Sequence, residues 1–266
     1  MVQHFHREAL SASDLLTMRQ AVFILTTTAI IIVIINNTGA VLSNRKKNPA
    51  DKLDMAKDSV DDQFKGCDEE TYKRVMDKIL DDELNKDAEF KRLWNEYSNI
   101  KDPFTRIIKV YTGSIEIHSK FNDAVKSGKN YYPQKFNYIS FHFLLTRAVQ
   151  IHKVKKCIDV FRRTDVSFET PKINDVMRFG GFASSSHRDD LTDFGRKSCF
   201  KINTCYGADI AELSVMPKEK EVLVPPFEKF TITNIEKNQM KCEVIYTLKS
   251  VEAISNMNCK LVQKLY

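Results

Sequence analysis

The sequence predicts an α+β fold, with a helical first half and a strand-rich second half. Two observations carry this. Apolar residues recur at three- and four-residue spacing from Asp68 to about His152, and the period drops to two beyond it. Strand and helix do not alternate as a parallel βαβ sheet requires, and no internal repeat or low-complexity tract breaks the order.

Residues 44–66 are polar and irregular, with Asn48-Pro49 as a breaker. Tyr72, Val75, Met76, Ile79 and Leu80 mark the first helical face. Asp102-Pro103 sets a capping residue before a proline, a helix start, and Phe104, Ile107, Ile108 and Tyr111 continue the rhythm. Ile117, Phe121, Ala124 and Val125 give another short helix, closed by Gly128. A longer apolar-faced stretch runs from Tyr138 to Val149. His142 and His152, in or near it, read as packing or surface residues, and Trp94 reads as core beside Leu93 and Tyr97. In the second half Phe200 and Ile202, then Phe230 and Ile232, alternate with polar neighbours. Cys242, Val244, Tyr246 and Leu248 fall on one side of a strand, and Pro225-Pro226 separates strands.

Residues 21–35 form an uncharged apolar run, shorter than the ~20 residues of a spanning helix. It follows Met18-Arg19 and ends in small and polar residues, the layout of a secretory signal peptide cleaved near Gly39 to Ser43. If Met1 is the true start, the competing reading is an uncleaved signal anchor, and only then is a membrane partner expected. The last residues carry no hydrophobic tail, so no glycolipid anchor is expected. Six cysteines, at 67, 157, 199, 205, 242 and 259, follow the run. An even count behind a signal sequence suggests disulfides and an extracellular or secreted protein; the alternative is six buried thiols in a reducing compartment. No C-x-x-C pair supports a zinc site, and no metal is expected. Net charge is +6, but the basic residues are interleaved with Asp and Glu along the chain, so no nucleic-acid partner is expected.

Three segments of the second half carry candidate chemistry: Val160-Phe-Arg-Arg-Thr164, Arg178-Phe-Gly-Gly-Phe-Ala-Ser-Ser-Ser186 and Glu219-Lys-Glu-Val-Leu-Val-Pro-Pro-Phe-Glu228. Singly, each has an ordinary reading: a surface Arg at a strand end, a serine turn, an exposed charged loop. Together and in this order they resemble the arginine, serine and Glu-x-Glu signature of arginine-specific mono-ADP-ribosyltransferases, the extracellular enzymes of animals above all. Leu53 to Cys67 resembles that family's opening segment, and Phe141-His-Phe-Leu-Leu-Thr146 its long helix before the first catalytic strand. Phe194-Gly195, Asn203-Thr-Cys-Tyr-Gly207 and Ser255-Asn-Met-Asn-Cys259 resemble its later segments. The apolar run and its flanks make 1–43 a leader or anchor, and the resemblance implies a single catalytic domain over 44–266. That domain is mainly helical through residue 155 and from 156 on is a β-sandwich-like core with an NAD cleft.

The resemblance also implies roles. NAD is the co-substrate and protein arginines are the acceptors, with the enzyme a monomer. Cleaving the nicotinamide–ribose bond passes through an oxocarbenium-like state, which a carboxylate stabilises. The family pattern gives that part to Glu221. Glu219 orients and partly deprotonates the acceptor guanidinium, whose fork of donors suits a carboxylate. Two residues apart on an extended segment, the two acids are expected to point the same way, with Lys220 pointing away. Arg162 holds the phosphates, and Ser184 bonds Glu221 and NAD; Ser185 and Ser186 are structural. Gly180 and Gly181 let backbone approach the nucleotide. Tyr111 and Ser214 are carried over as NAD-binding residues, each with packing as the alternative. For His187 a structural reading is favoured over ligand contact.

One departure stands beside the signature: the family usually has Gly after the catalytic Arg, and this chain has Arg163. The resemblance pairs Cys67 with Cys259, closing a long loop that stabilises by about 3–5 kcal/mol in the entropic model, and Cys157 with Cys205. Cys199 and Cys242 have no counterpart and form either a third bridge or two buried thiols. Two rival functions share the pattern: an NAD glycohydrolase with water as acceptor, and a catalytically silent NAD-binding module.

Overall fold

A computed structural model describes residues 51–263; the expected leader or anchor over 1–43 lies outside the described residues. Among the described residues the first helix is α1 (Asp68–Arg74), which runs through a π-helical turn (Val75–Ile79) into α2 (Leu80–Lys86). Then come α3 (Ala88–Glu96), α4 (Pro103–Gly113), α5 (Ile115–Ser127) and α6 (Ile139–Ile151). The local chemistry explains the starts. Asp102 accepts a hydrogen bond from Thr105 N at 2.8 Å with Pro103 in the first turn, and Asp87 caps α3 through Glu89 N and Phe90 N. The start of α6 is capped from a distance: Glu83 of α2 accepts from Ile139 N and Ser140 N. Gly128 ends α5 as expected, but for a different reason. Its φ is −81°, an ordinary value; a Cβ there would lie 2.5 Å from Ala124 O and 2.7 Å from the Val60 side chain.

Eight strands follow: β1 (Ile158–Thr164), β2 (Val176–Met177), β3 (Ala183–Ser186), β4 (Ser198–Thr204), β5 (Ala208–Asp209), β6 (Glu221–Val224), β7 (Glu228–Gln239) and β8 (Cys242–Ala253). They form one mixed sheet in the order β2-β7-β8-β4-β1-β3-β6-β5, with β4 and β8 parallel. The α+β order and a sandwich-like core therefore hold, with the strands joined in one continuous sheet. Val160, Phe200, Ile202, Val222, Phe230 and Tyr246 fill the inner cluster of the sheet. A second cluster joins the helices to the sheet through Tyr111, Phe121, Phe141, Phe182 and Leu223. Trp94 belongs to it, with the Arg106 guanidinium 4.1 Å from the ring centre. Cys242 does not share the side of Val244, Tyr246 and Leu248; it packs with Cys199 and Ile245 in a separate small cluster.

Three disulfides close the frame. Cys67–Cys259 and Cys157–Cys205 are as the resemblance implies, and Cys199–Cys242 is the third bridge, made possible because β4 and β8 are neighbours. Beside Cys259, Asp62 accepts from Phe64 N, Cys259 N and Lys260 N. Asp61 accepts from Asn256 N and Met257 N and pairs with Arg178 at 2.5 Å, both side chains wholly buried. Arg178 also donates to Met55 O, Ala56 O and Ile254 O, so one guanidinium ties three chain segments. Removing one partner strands a buried charge. Arg178→Met is therefore expected to lose about 3–5 kcal/mol, read as a fall of roughly 10 °C in the thermal unfolding midpoint.

Candidate functional site

The signature residues arrive from four places. Arg162 sits on β1 facing Phe200 of β4, and Ser184 sits on β3 facing Leu223 of β6. Glu221 starts β6, and Glu219 ends a 3-10 turn (Pro217–Glu219) just before it. Because β1, β3 and β6 are adjacent in the sheet, these side chains reach one cavity of about 370 Å³. Its wall includes Tyr111, His118, Arg162, Ser184, Ser214, Glu219 and Glu221. That volume lies within the range of small-molecule sites.

The two acids do not reach it along an extended segment. Lys220 between them has φ 47° and ψ 53°, a left-handed conformation that is unfavourable for a side chain other than glycine. A tight turn and one left-handed residue, rather than strand alternation, bring Glu219 and Glu221 to the same cavity. Ser186 stabilises that turn by donating to Glu219 O at 2.5 Å, and its hydroxyl accepts from Arg188 N. The preceding loop hangs from α4: Lys109 Nζ donates to Ser214 O, and Val215 N donates to Thr112 Oγ1.

Glu221 is buried, and Ser214 Oγ donates to its Oε2 at 3.4 Å. Burial pushes its carboxyl above the ordinary glutamate value of 4.5. The Glu219 charge pushes the same way, and Ser184, Ser214 and Arg162 oppose. Burial also raises Glu219, whose carboxylate takes no hydrogen bond among the described residues. Ser184 Oγ is buried and has no hydrogen-bond partner among the described residues. Arg162 is half-buried; Nη1 donates to Ser184 O at 2.6 Å, and it forms no ion pair among the described residues. Burial lowers its pKa from the ordinary arginine value, with Tyr111 and Glu221 opposing, and its donors beyond the bond to Ser184 O remain for a ligand anion.

Tyr111 is fully buried at the back of the cavity. It donates to Phe182 O at 3.1 Å and accepts from Asn122 Nδ2 at 3.0 Å. Gly180 and Gly181 lie elsewhere. A Cβ on Gly180 would meet Ala56, and one on Gly181 would meet Asn122 Oδ1 at 2.8 Å. These glycines serve packing against the opening segment and α5. His187 pairs with Asp209 at 2.9 Å and does not line the cavity, and His142 is a buried core residue bonded to Val60 O.

The sequence model of NAD:arginine ADP-ribosyltransferases matches residues 53–255. The chain belongs to this family. An erythroblast NAD(P)(+)–arginine ADP-ribosyltransferase of Gallus gallus is 31% identical over 254 residues, covering 85% of this chain and 82% of that one. T-cell ecto-ADP-ribosyltransferase 2 of Mus musculus is 34% identical over 227 residues, covering 78% and 76%. Among solved structures, a variant of the eukaryotic mono-ADP-ribosyltransferase ART2.2 in complex with NADH superposes with a TM-score of 0.69 at 30% identity. That match covers 79% of this chain and 99% of the other.

One member of this ADP-ribosyltransferase's cavity wall went unnoticed in the sequence. His118 stacks on Tyr111, with ring centres 4.6 Å apart and planes at 23°, and lines the cavity. Burial pulls it down to about 4, with Arg162 and Lys126 adding to the effect, so it is a neutral ring at physiological pH. A sequence signal existed: His118 is seven residues, about two helical turns, beyond Tyr111. The helix break at Ser114 hides it, because Tyr111 and His118 belong to different helices that meet at this corner.

Proposed function

We propose that this chain transfers ADP-ribose from NAD to arginine side chains of other proteins, outside the cell, and that Arg162, Ser184, Glu219 and Glu221 carry the reaction. The observation that supports this most is the meeting of these four side chains at one cavity, although they come from separate segments. Two features fit a dinucleotide there: the buried Ser184 hydroxyl without a protein partner, and the Arg162 guanidinium without a carboxylate partner. Three disulfides and the ecto-enzyme relatives support the location.

NAD supplies a ribose–nicotinamide bond that breaks with nicotinamide taking the electron pair, leaving positive charge on the ribose. Glu221 stabilises that charge and accepts from the ribose 2′-hydroxyl, Ser214 fixes its position, and the Ser184 hydroxyl is left to meet NAD. Arg162 holds the phosphates with its planar fork. Tyr111 and Ser214 complete the NAD contacts. Glu219 orients one guanidinium of the acceptor and takes the proton released as its nitrogen bonds to the ribose.

Incubation with labelled NAD and poly-arginine is expected to give labelled polymer and free nicotinamide. Nicotinamide release without any labelled arginine would make the chain an NAD glycohydrolase instead. Activity also depends on ionised Glu221. Its pKa is raised, so kcat/KM is expected to fall on acidification at a pH above 4.5, the value of an ordinary glutamate. An acid limb below pH 4.5 would contradict the raised pKa of Glu221.

A further inference from the structure

Arg163 follows Arg162 on β1, and its side chain has partners of its own. Arg162 and Arg163 are successive residues of β1, so their side chains leave opposite faces of the sheet. Arg162 turns to the cavity, and Arg163 also borders it. Arg163 pairs in register with Cys199 and is buried, with 8% exposure. Its Nε donates to Asp189 O at 3.1 Å, and Nη2 donates to the same carbonyl and to Met240 O at 3.0 Å. Nη1 lies 3.0 Å from Cys242 Sγ and 3.5 Å from Cys199 Sγ, so the guanidinium rests on the third disulfide.

Asp189 lies between Arg188 and Leu191, which both line the cavity, and Phe194 follows on the same wall. The segment is also tied at its start, where His187 N donates to Lys220 O and Arg188 N donates to Ser186 Oγ. Arg188 pairs with its own neighbour Asp190 and reaches Lys218 O across the cavity rim. On the other side Met240 is in the β7–β8 turn, where Met240 and Lys241 both have positive φ, as does Asn238 near the end of β7. One planar, five-donor group thus joins the cavity wall to a hairpin turn, anchored on a covalent bridge. A lysine ammonium has three donors but no fixed planar fork to meet the two carbonyls and the disulfide together.

We propose that Arg163 is a positioning residue that sets NAD affinity by clamping the Arg188–Leu191 segment of the cavity wall. The proposal rests on the reading of this cavity as the NAD site. A wall that adopts its binding geometry only a fraction of the time weakens affinity by that fraction. Arg163→Met keeps the bulk and the apolar stem while removing every donor.

The test uses the disulfide-intact chain titrated with NADH, followed by its fluorescence. Arg163→Met is expected to raise the Kd about tenfold, and KM for NAD similarly, with kcat at saturation within about twofold. Hydrogen exchange of amides 187–194 is expected to accelerate while that of β4 and β8 is unchanged. Arg163→Lys, the variant that decides the matter if the methionine protein does not fold, is expected to show a smaller rise. Either folded variant binding NADH as tightly as wild type would overturn the proposal, as would a lowered thermal midpoint with unchanged Kd, the mark of a merely structural role. A wild-type chain that binds no NADH would overturn the NAD-site reading itself.

Discussion

Glu221→Gln is expected to lower nicotinamide release and arginine labelling together by about 10³-fold, roughly 4 kcal/mol of lost transition-state stabilisation. The substitution keeps the shape and the contact with Ser214 Oγ, so the fold and the cavity persist. What it removes is the negative charge facing the ribose as positive charge develops there. That charge matters most because the site is buried and screening is weak. Since the loss is confined to the transition state, kcat carries it and NADH affinity stays within a few-fold. Single-turnover release of nicotinamide, with NADH titration alongside, measures both. A Glu221→Gln protein within tenfold of wild-type turnover would remove this carboxylate from the mechanism.

Glu219→Gln is expected to separate the two halves of the reaction. Arginine labelling should fall by about 10²-fold or more, while nicotinamide release in the absence of acceptor stays within a few-fold. The reason lies in the environments of the two acids. Glu221 is buried against Ser214, whereas Glu219 sits at the partly open rim with no protein hydrogen bond, free to receive a guanidinium. A second effect has a fixed sign. The Glu219 charge raises the Glu221 pKa, so neutralising it is expected to move the acid limb of NAD hydrolysis to lower pH. Labelled-acceptor and nicotinamide assays on the same samples, repeated across pH, test both effects. Equal losses of labelling and hydrolysis would deny the acceptor role.

Much of the fold was legible because its signals are local. Asp102-Pro103 starts α4 by satisfying backbone donors within three residues, and apolar spacing along Ile107, Ile108 and Tyr111 fixes the buried face. The serine run illustrates what local signals miss. Ala183–Ser186 has no apolar alternation and by itself reads as a turn, yet it is a strand because β1 and β6 pair on either side. That pairing is long-range and leaves no trace in propensity. The same holds for the Glu-x-Glu geometry. Both acids line one cavity, but the spacing argument assumed an extended path where Lys220 is left-handed and Ser186 stabilises the turn. The third disulfide needed the parallel neighbourhood of β4 and β8, and the role of Gly181 needed Asn122. His118 was missed because its partner Tyr111 belongs to the preceding helix.

A crystal structure of the chain with NADH bears most directly on the claim that one basic fork, one hydroxyl and two carboxylates serve a single ribose. The account predicts the nicotinamide-side ribose against Glu221, with Arg162 at the phosphates and Ser184 Oγ in contact with the ligand. Density for the dinucleotide in the separate cavity lined by Gln63, Arg147, Lys153 and Tyr206, with Glu221 and Ser184 touching nothing, would contradict it.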